Sequence, residues 1–207
     1  MAGAEDDFPL FPLGLVALPH ELVPLHIFEE RYRTMIAECL EAEREFGIVW
    51  MADDELKDVG CAVVVEEVLE RLPDGRMNVA CRGTRPFRLL ARADHLPYPA
   101  GRIEWLEDDD EVLDPSALED AHEAYARLVE EATDEAPDPA ALAELGAYAM
   151  AATVDFGHDA KQGMLELRSE NARLRLAARL FRAAAKRLDF IERAQARARS
   201  NGKVRFG

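Results

Sequence analysis

Two periods of hydrophobic spacing divide the chain. Over residues 46–106 apolar residues come in short runs, FGIVWM, VGCAVVVEEVLERL, MNVACRG, RPFRLLARA and AGRIEWL. Their β-branched side chains and partial alternation predict strands of a mostly antiparallel sheet. Pro73-Asp74-Gly75 sits between the second and third runs and predicts a hairpin turn. Beyond residue 114 apolar residues recur every three or four positions, which is the spacing of helices.

Proline and capping residues punctuate both halves. FPLFPLGLVALPHELVP, residues 8–24, carries a proline every few positions, so continuous helix is impossible and extended, turn-broken chain remains. The segment that follows, FEERYRTMIAECLEAERE, places Phe28, Tyr32, Met35, Ile36, Cys39 and Leu40 at helical intervals, with Glu29 and Glu30 where the helix dipole favours anions. This predicts an amphipathic helix over about 29–44, with Phe28, Tyr32 and Ile36 on one core-facing stripe and Glu29 paired with Arg33. Arg31 could fasten this helix to the sheet.

Asp114-Pro115-Ser116 caps a second helix that fades near Thr133. Pro137-Asp138-Pro139 opens an alanine-rich third that runs to about residues 155–157. A last helix spans roughly 159–199, and Gly163 and Ser169 could break its start. The acidic run at 107–111 falls between the two periods. The expected architecture is therefore α+β, with a β domain at 1–111 holding one helix and a helical domain at 112–207.

Charge sharpens this division. The 207 residues hold 41 acidic and 25 basic side chains, for a formal charge of −16, which disfavours a uniform nucleic-acid binder. Yet residues 161–207 hold 13 basic and 4 acidic residues. Such a basic end serves either an acidic partner or the chain's own acidic body. The N-terminal residues lack a basic region followed by an apolar one, and no run is long enough to span a bilayer. Cys39, Cys61 and Cys81, without a C-x-x-C spacing, read as reduced core residues, so a soluble cytoplasmic protein that does not engage membranes is expected.

Catalytic and metal motifs are hard to find. No glycine-rich phosphate loop ends in Gly-Lys-Ser or Gly-Lys-Thr. In HELVPLH the histidines His20 and His26 stand six apart, and Pro24 forbids the helix that an H-E-x-x-H zinc site needs. None of Ser116, Ser169 and Ser200 lies in G-x-S-x-G. On one helix Lys161 and Ser169 would stand about 12 Å apart, too far for proton transfer. No catalytic residue, metal or cofactor is expected.

The residues also carry a resemblance. PLHIFEERYRTMI at 24–36, preceded by Phe11-Pro12-Leu13, resembles the hallmark of the Lon protease N-terminal, substrate-binding domain. Further matches follow in order at 46–49, 59–60, 74–76, 83–88 and 97–98. Lys161-Gln162 with Leu165-Glu166 is similar to the family's K-Q-x-x-L-E signature. His20, Glu30 and Cys61 replace a glycine, a proline and a threonine usual there; histidine tolerates positive φ and glutamate suits a helix start. The resemblance implies a PUA-like, mostly antiparallel β domain followed by a helical bundle with a long last helix. It also implies a non-catalytic module that recognises polypeptide, standing alone without the family's ATPase and peptidase domains.

The partner then expected is unfolded or hydrophobic polypeptide, with an ATPase or protease acting in trans and self-association through the last helix. Trp50 and Trp105 each end an apolar run, where a half-exposed ring could anchor a peptide. With His26, Phe28, Arg31 and Tyr98 they form the candidate peptide-binding set, contacting extended chain by apolar surface and strand addition. The alternative is RNA binding through Arg173, Arg175, Arg179, Arg182, Lys186, Arg187, Arg193, Arg197 and Arg199 of the last helix. Arg82, Arg85, Arg88 and Arg92 could add a basic patch unless neighbouring carboxylates neutralise them.

Overall fold

The proline-punctuated N-terminal segment is extended and turn-broken as expected, with strands at its two ends joined by a loop over residues 14–21. The computed structural model describes residues 3–53 and 55–201, without the side chains of residues 192 and 195–201, so those of Arg197, Arg199 and Ser200 lie outside the described residues. Two compact units result: Met1–Glu111 with Ala151–Ser169, and Val112–Met150 with Glu170–Gly207. The second half of the chain is therefore divided, because residues 151–169 return to the sheet-bearing unit. Among the described residues no helix is long and apolar enough to cross a membrane.

The first unit holds β1 (Ala4–Leu13), β2 (Leu22–Ile27), α1 (Glu30–Glu41), β3 (Phe46–Ala52), β4 (Glu55–Arg71), β5 (Met77–Ala93), β6 (Ala100–Trp105) and α5 (His158–Glu166). The sheet order is β2-β5-β4-β3-β1-β6, and β6 also pairs with β5. Five strands thus close into a ring in which every strand has two neighbours, and β2 stands outside it on β5 alone. Only β1 with β3 is parallel among these pairings. The ring interior is filled by Phe8, Leu10, Val49, Ala62, Phe87 and Ile103, with edge-to-face contacts between Phe8 and Phe87 at 5.4 Å and Phe8 and Trp105 at 5.3 Å.

The runs MNVACRG and RPFRLLARA are one long strand, β5, that changes partner midway. Its first half lies between β2 and β4, its second between β4 and β6. The hairpin forms where expected: Gly75 takes φ 85°, a conformation that glycine adopts without steric cost. Arg33 donates to the Asp74 carbonyl at 2.7 Å, tying α1 to this turn. The expected Glu29–Arg33 pair is therefore not made; Glu29 pairs with Arg31 at 2.8 Å. Phe28 also departs from the expected core stripe. The helix begins at Glu30, one residue after its Glu29 cap, so Phe28 precedes it and stays 59% exposed, while Tyr32, Met35, Ile36 and Cys39 are buried.

Helix α5 is fastened to this unit through the K-Q pair. Lys161 Nζ meets Glu21 at 2.5 Å, with the two side chains only 10% and 15% exposed, and the other Glu21 oxygen accepts from Leu18 N–H. Gln162 donates to the Val59 carbonyl on β4 and to Glu166. The loop before β2 is also pressed onto β5. His20, at φ 70°, donates to Gly83 O, Gly83 donates to Glu21 O, and a Cβ at Gly83 would overlap the Leu18 carbonyl.

The second unit contains α2 (Pro115–Thr133), α3 (Pro139–Ala143), α4 (Ala147–Ala151) and α6 (Glu170–Asn201). Asp114 caps α2 by accepting from Ser116 N–H, as its position before proline predicted. The expected single alanine-rich helix is two short ones, with a break before Ala147, whose N–H donates to the Glu170 carboxylate. The last helix is likewise interrupted: α5 ends at Glu166 and α6 begins at Glu170, in different units. Arg175 with Asp114 and Arg182 with Asp120 show that α2 and α6 run side by side in the same direction. Tyr125 and Phe181 fill the space between them, 5.2 Å apart.

Candidate functional site

The backbone of β2 sets up the site. Gly83 bonds to both His20 and Glu21, and the register then pairs Val23 with Cys81, Leu25 with Val79 and Ile27 with Met77. In an antiparallel ladder bonded and non-bonded pairs alternate. Val23, Leu25 and Ile27 therefore bond to β5, and Leu22, Pro24 and His26 turn their backbone groups to the free edge. Pro24 fits only there, since it has no N–H to give a ladder. The side chains alternate too: Val23, Leu25 and Ile27 are buried, and Leu22, Pro24 and His26 are exposed.

The exposed face continues across three strands. His26 Nδ1 lies 2.6 Å from Asn78 Oδ1 on β5, and Asn78 Nδ2 donates to Glu70 on β4 at 2.8 Å. The Asn78 oxygen is an acceptor, so Nδ1 carries the proton and Nε2 is left open to a ligand. Phe28 stacks on the His26 ring with centroids 5.9 Å apart. Pro24, His26, Leu69 and Asn78 help line an open groove of about 550 Å³. Leu22, Phe28 and Leu69 are 55%, 59% and 54% exposed, three large apolar side chains on or beside one three-strand ribbon.

A second groove of about 330 Å³ lies elsewhere on the same unit. It is lined by Leu10, Pro12, Met51, Leu56, Pro97 and Tyr98, with Arg31 and Arg92 at its polar margin. Tyr98 forms its floor more than an anchor: it is buried, and its hydroxyl donates to Glu38 of α1 at 2.5 Å. Burial, then that bond, pushes its pKa up to about 12.

The six expected binding residues consequently do not share one surface. His26 and Phe28 come together on the β2 ribbon, and Arg31 and Tyr98 line the second groove. Trp50 stands edge-on to His158 of α5 at 5.6 Å. Trp105 closes the ring against Phe8 and Phe87, with Arg85 3.5 Å over its ring. Leu22, Leu69, Asn78 and Glu70 were not in that set. Pro24 is the signal that could have pointed to them, because a proline within an alternating run marks an edge strand and its even-numbered neighbours as outward.

Little here could do covalent chemistry. Burial pushes the Cys39 thiol up to about 11, the Cys81 thiol to about 12 and the Cys61 thiol higher still, so all three stay protonated near neutrality. Lys161 and Ser169 have separate partners, Glu21 and Glu111. No cluster of potential metal ligands occurs among the described residues.

Of the basic residues expected to offer a phosphate surface on the last helix, four are occupied, while Arg179, Lys186 and Arg187 make no ion pair among the described residues. Arg173 is 2% exposed, bonded to Glu170 and stacked over Tyr148, which removes it from any surface. Arg175, Arg182 and Arg193 pair with Asp114, Asp120 and Asp189. On the sheet, Arg82, Arg85 and Arg88 pair with Glu66, Glu45 and Asp58.

Comparisons with known proteins agree with one another. A family model of the substrate-binding domain of ATP-dependent protease La (Lon) matches residues 7–182. Lon protease of Escherichia coli (strain K12) is 25% identical over 190 residues, covering 81% of this chain and 24% of that protein. Lon protease 1 of Hydrogenovibrio crunogenus is 24% identical over 187 residues, covering 81% and 22%. The chain thus spans about a quarter of the length of these relatives. A crystal structure of a Lon N-terminal domain protein from Xanthomonas campestris shares the fold, with a TM-score of 0.63 at 24% identity, covering 83% of this chain and 95% of that one. So does the N-terminal domain of Mycobacterium avium complex Lon protease, at 0.59 and 18%, covering 86% and 98%.

Proposed function

The chain belongs to the Lon substrate-binding domain family, and from that premise we propose that it recognises unfolded or hydrophobic polypeptide by non-covalent contact and is not itself an enzyme. The observation that carries this reading is the β2 ribbon, where Leu22, Phe28 and Leu69 stay exposed beside a strand with one unpaired edge. Burying the exposed half of each against a partner would contribute about 1 kcal/mol. An ATPase or protease acting in trans would use the bound polypeptide. Three buried thiols suit a reducing compartment, and the cytoplasm is the proposed location.

Fluorescence anisotropy with a labelled, permanently unfolded protein tests the reading. Binding near or below about 100 µM, at least 5 kcal/mol of affinity, is expected. Replacing Phe28 and Leu69 together by serine should weaken it at least tenfold. Absence of binding by the native chain at that concentration would remove the proposal.

A further inference from the structure

Edge strands of natural proteins are usually blunted, because unpaired N–H and C=O groups recruit another chain. In β2 only one blunting device is present, Pro24, and it is partial. Pro24 withholds one donor, but its carbonyl and both backbone groups of Leu22 and His26 still face outward. No described strand covers that side. Six residues at about 3.4 Å each offer a template roughly 20 Å long, enough for a segment of five or six residues.

Charge then selects among extended segments. The outward ribbon face carries Glu66, Glu67 and Glu70 on β4 against Arg82 on β5. Glu66 is bound by Arg82, whereas Glu67 has no partner among the described residues. Glu70 is held by the neutral Asn78 amide, which draws its carboxylate over β5 toward His26. A strand added beside β2 would lie two strand spacings, about 10 Å, from β5. A lysine or arginine on it can lean across His26 and meet that carboxylate, while apolar residues on it meet Leu22 and Phe28.

Resting on the polypeptide-binding reading above, we propose that β2 takes its partner as an added strand, and that the partner is a short extended segment whose every second side chain faces the ribbon, apolar at the two ends of that set and lysine or arginine between them. Recognition comes from backbone bonds to Leu22, Pro24 and His26. Selectivity comes from the ribbon's excess carboxylate and its two exposed apolar ends.

Anisotropy titrations with a labelled hexapeptide Leu-Thr-Lys-Thr-Leu-Thr, whose two leucines and lysine share one face of a strand, test this, together with copies N-methylated at single backbone positions. Methylation at alternate positions should weaken binding about tenfold, and at the intervening positions less than about twofold, because only every second N–H of an added strand faces β2. Pro24→Val, which restores a donor at the edge, should strengthen binding about fivefold. Glu70→Lys should weaken it several-fold, and added salt should weaken binding to the native chain. Equal losses at every methylated position, or unchanged affinity in Pro24→Val, would overturn strand addition. A copy with glutamate in place of that lysine that binds as well would overturn the charge selection. The unfolded reporter, titrated in the same buffer, separates the two readings. If it binds while the methylation pattern is flat, strand addition alone is wrong; if neither it nor the hexapeptide binds, both readings fall.

Discussion

The two halves of β5 meet different fates. The second half lies between β4 and β6 inside a closed ring, with every neighbour present and Phe87 fully buried beneath it. The first half lies between β4 and β2, and β2 ends the sheet. Closure removes edges and consumes apolar surface; an open ribbon keeps both. The same strand thus supplies the stability of the unit at one end and its available binding surface at the other.

The largest test of that contrast is Phe87→Ala. Its ring contacts Phe8 and Trp105 in the interior, so urea unfolding should show a loss of about 3–5 kcal/mol. A loss below about 1 kcal/mol would mean that the ring interior is not where stability resides. Next is Lys161→Met, which leaves the Glu21 carboxylate without its counter-charge in a mostly enclosed site. A loss of about 3 kcal/mol is expected, partly recovered when Glu21→Gln is added. At the open end Phe28→Ala should change stability by no more than about 0.5 kcal/mol while reducing affinity for unfolded protein several-fold. If stability falls instead, the exposed ring belongs to the core.

The smallest effect concerns pH. Tyr98 has its pKa raised to about 12 from 10.0 by burial and then by its bond to Glu38, so the folded state favours the protonated phenol. Its contribution is complete below about pH 10 and is lost as pH rises toward 12. The thiols also lose stability in alkali, so the difference between native and Tyr98→Phe melting curves isolates the tyrosine. That difference should shrink between pH 10 and 12, and parallel curves would show that the phenol does not titrate with unfolding.

Much of the fold could be read from local rules. The hairpin at Gly75, the capped start of α2 and the buried stripe of α1 each depend on residues close in sequence, whose turn chemistry and spacing act before any long-range contact. Other elements were not legible in this way. Phe28 has helical spacing to Tyr32, but the helix starts two residues later, so periodicity alone misplaced it. Glu29 and Arg33 have the right separation for a pair, yet the Asp74 carbonyl, 41 residues from Arg33, wins the guanidinium. The return of residues 151–169 to the sheet-bearing unit depends on Lys161 finding Glu21 and Gln162 finding Val59, partners 140 and 103 residues away.

By itself the chain's order of residues determined the two spacing regimes, the strand and helix types, the family and the lack of familiar catalytic motifs, because these follow from side-chain period, backbone restriction and short motifs. Only the tertiary structure decided which strand would be left at an edge, which apolar residues would remain outside, and which arginines would be neutralised. Those outcomes depend on ring closure and on ion pairs between residues far apart in sequence, where competition among many possible partners, rather than any local preference, selects the one that is made.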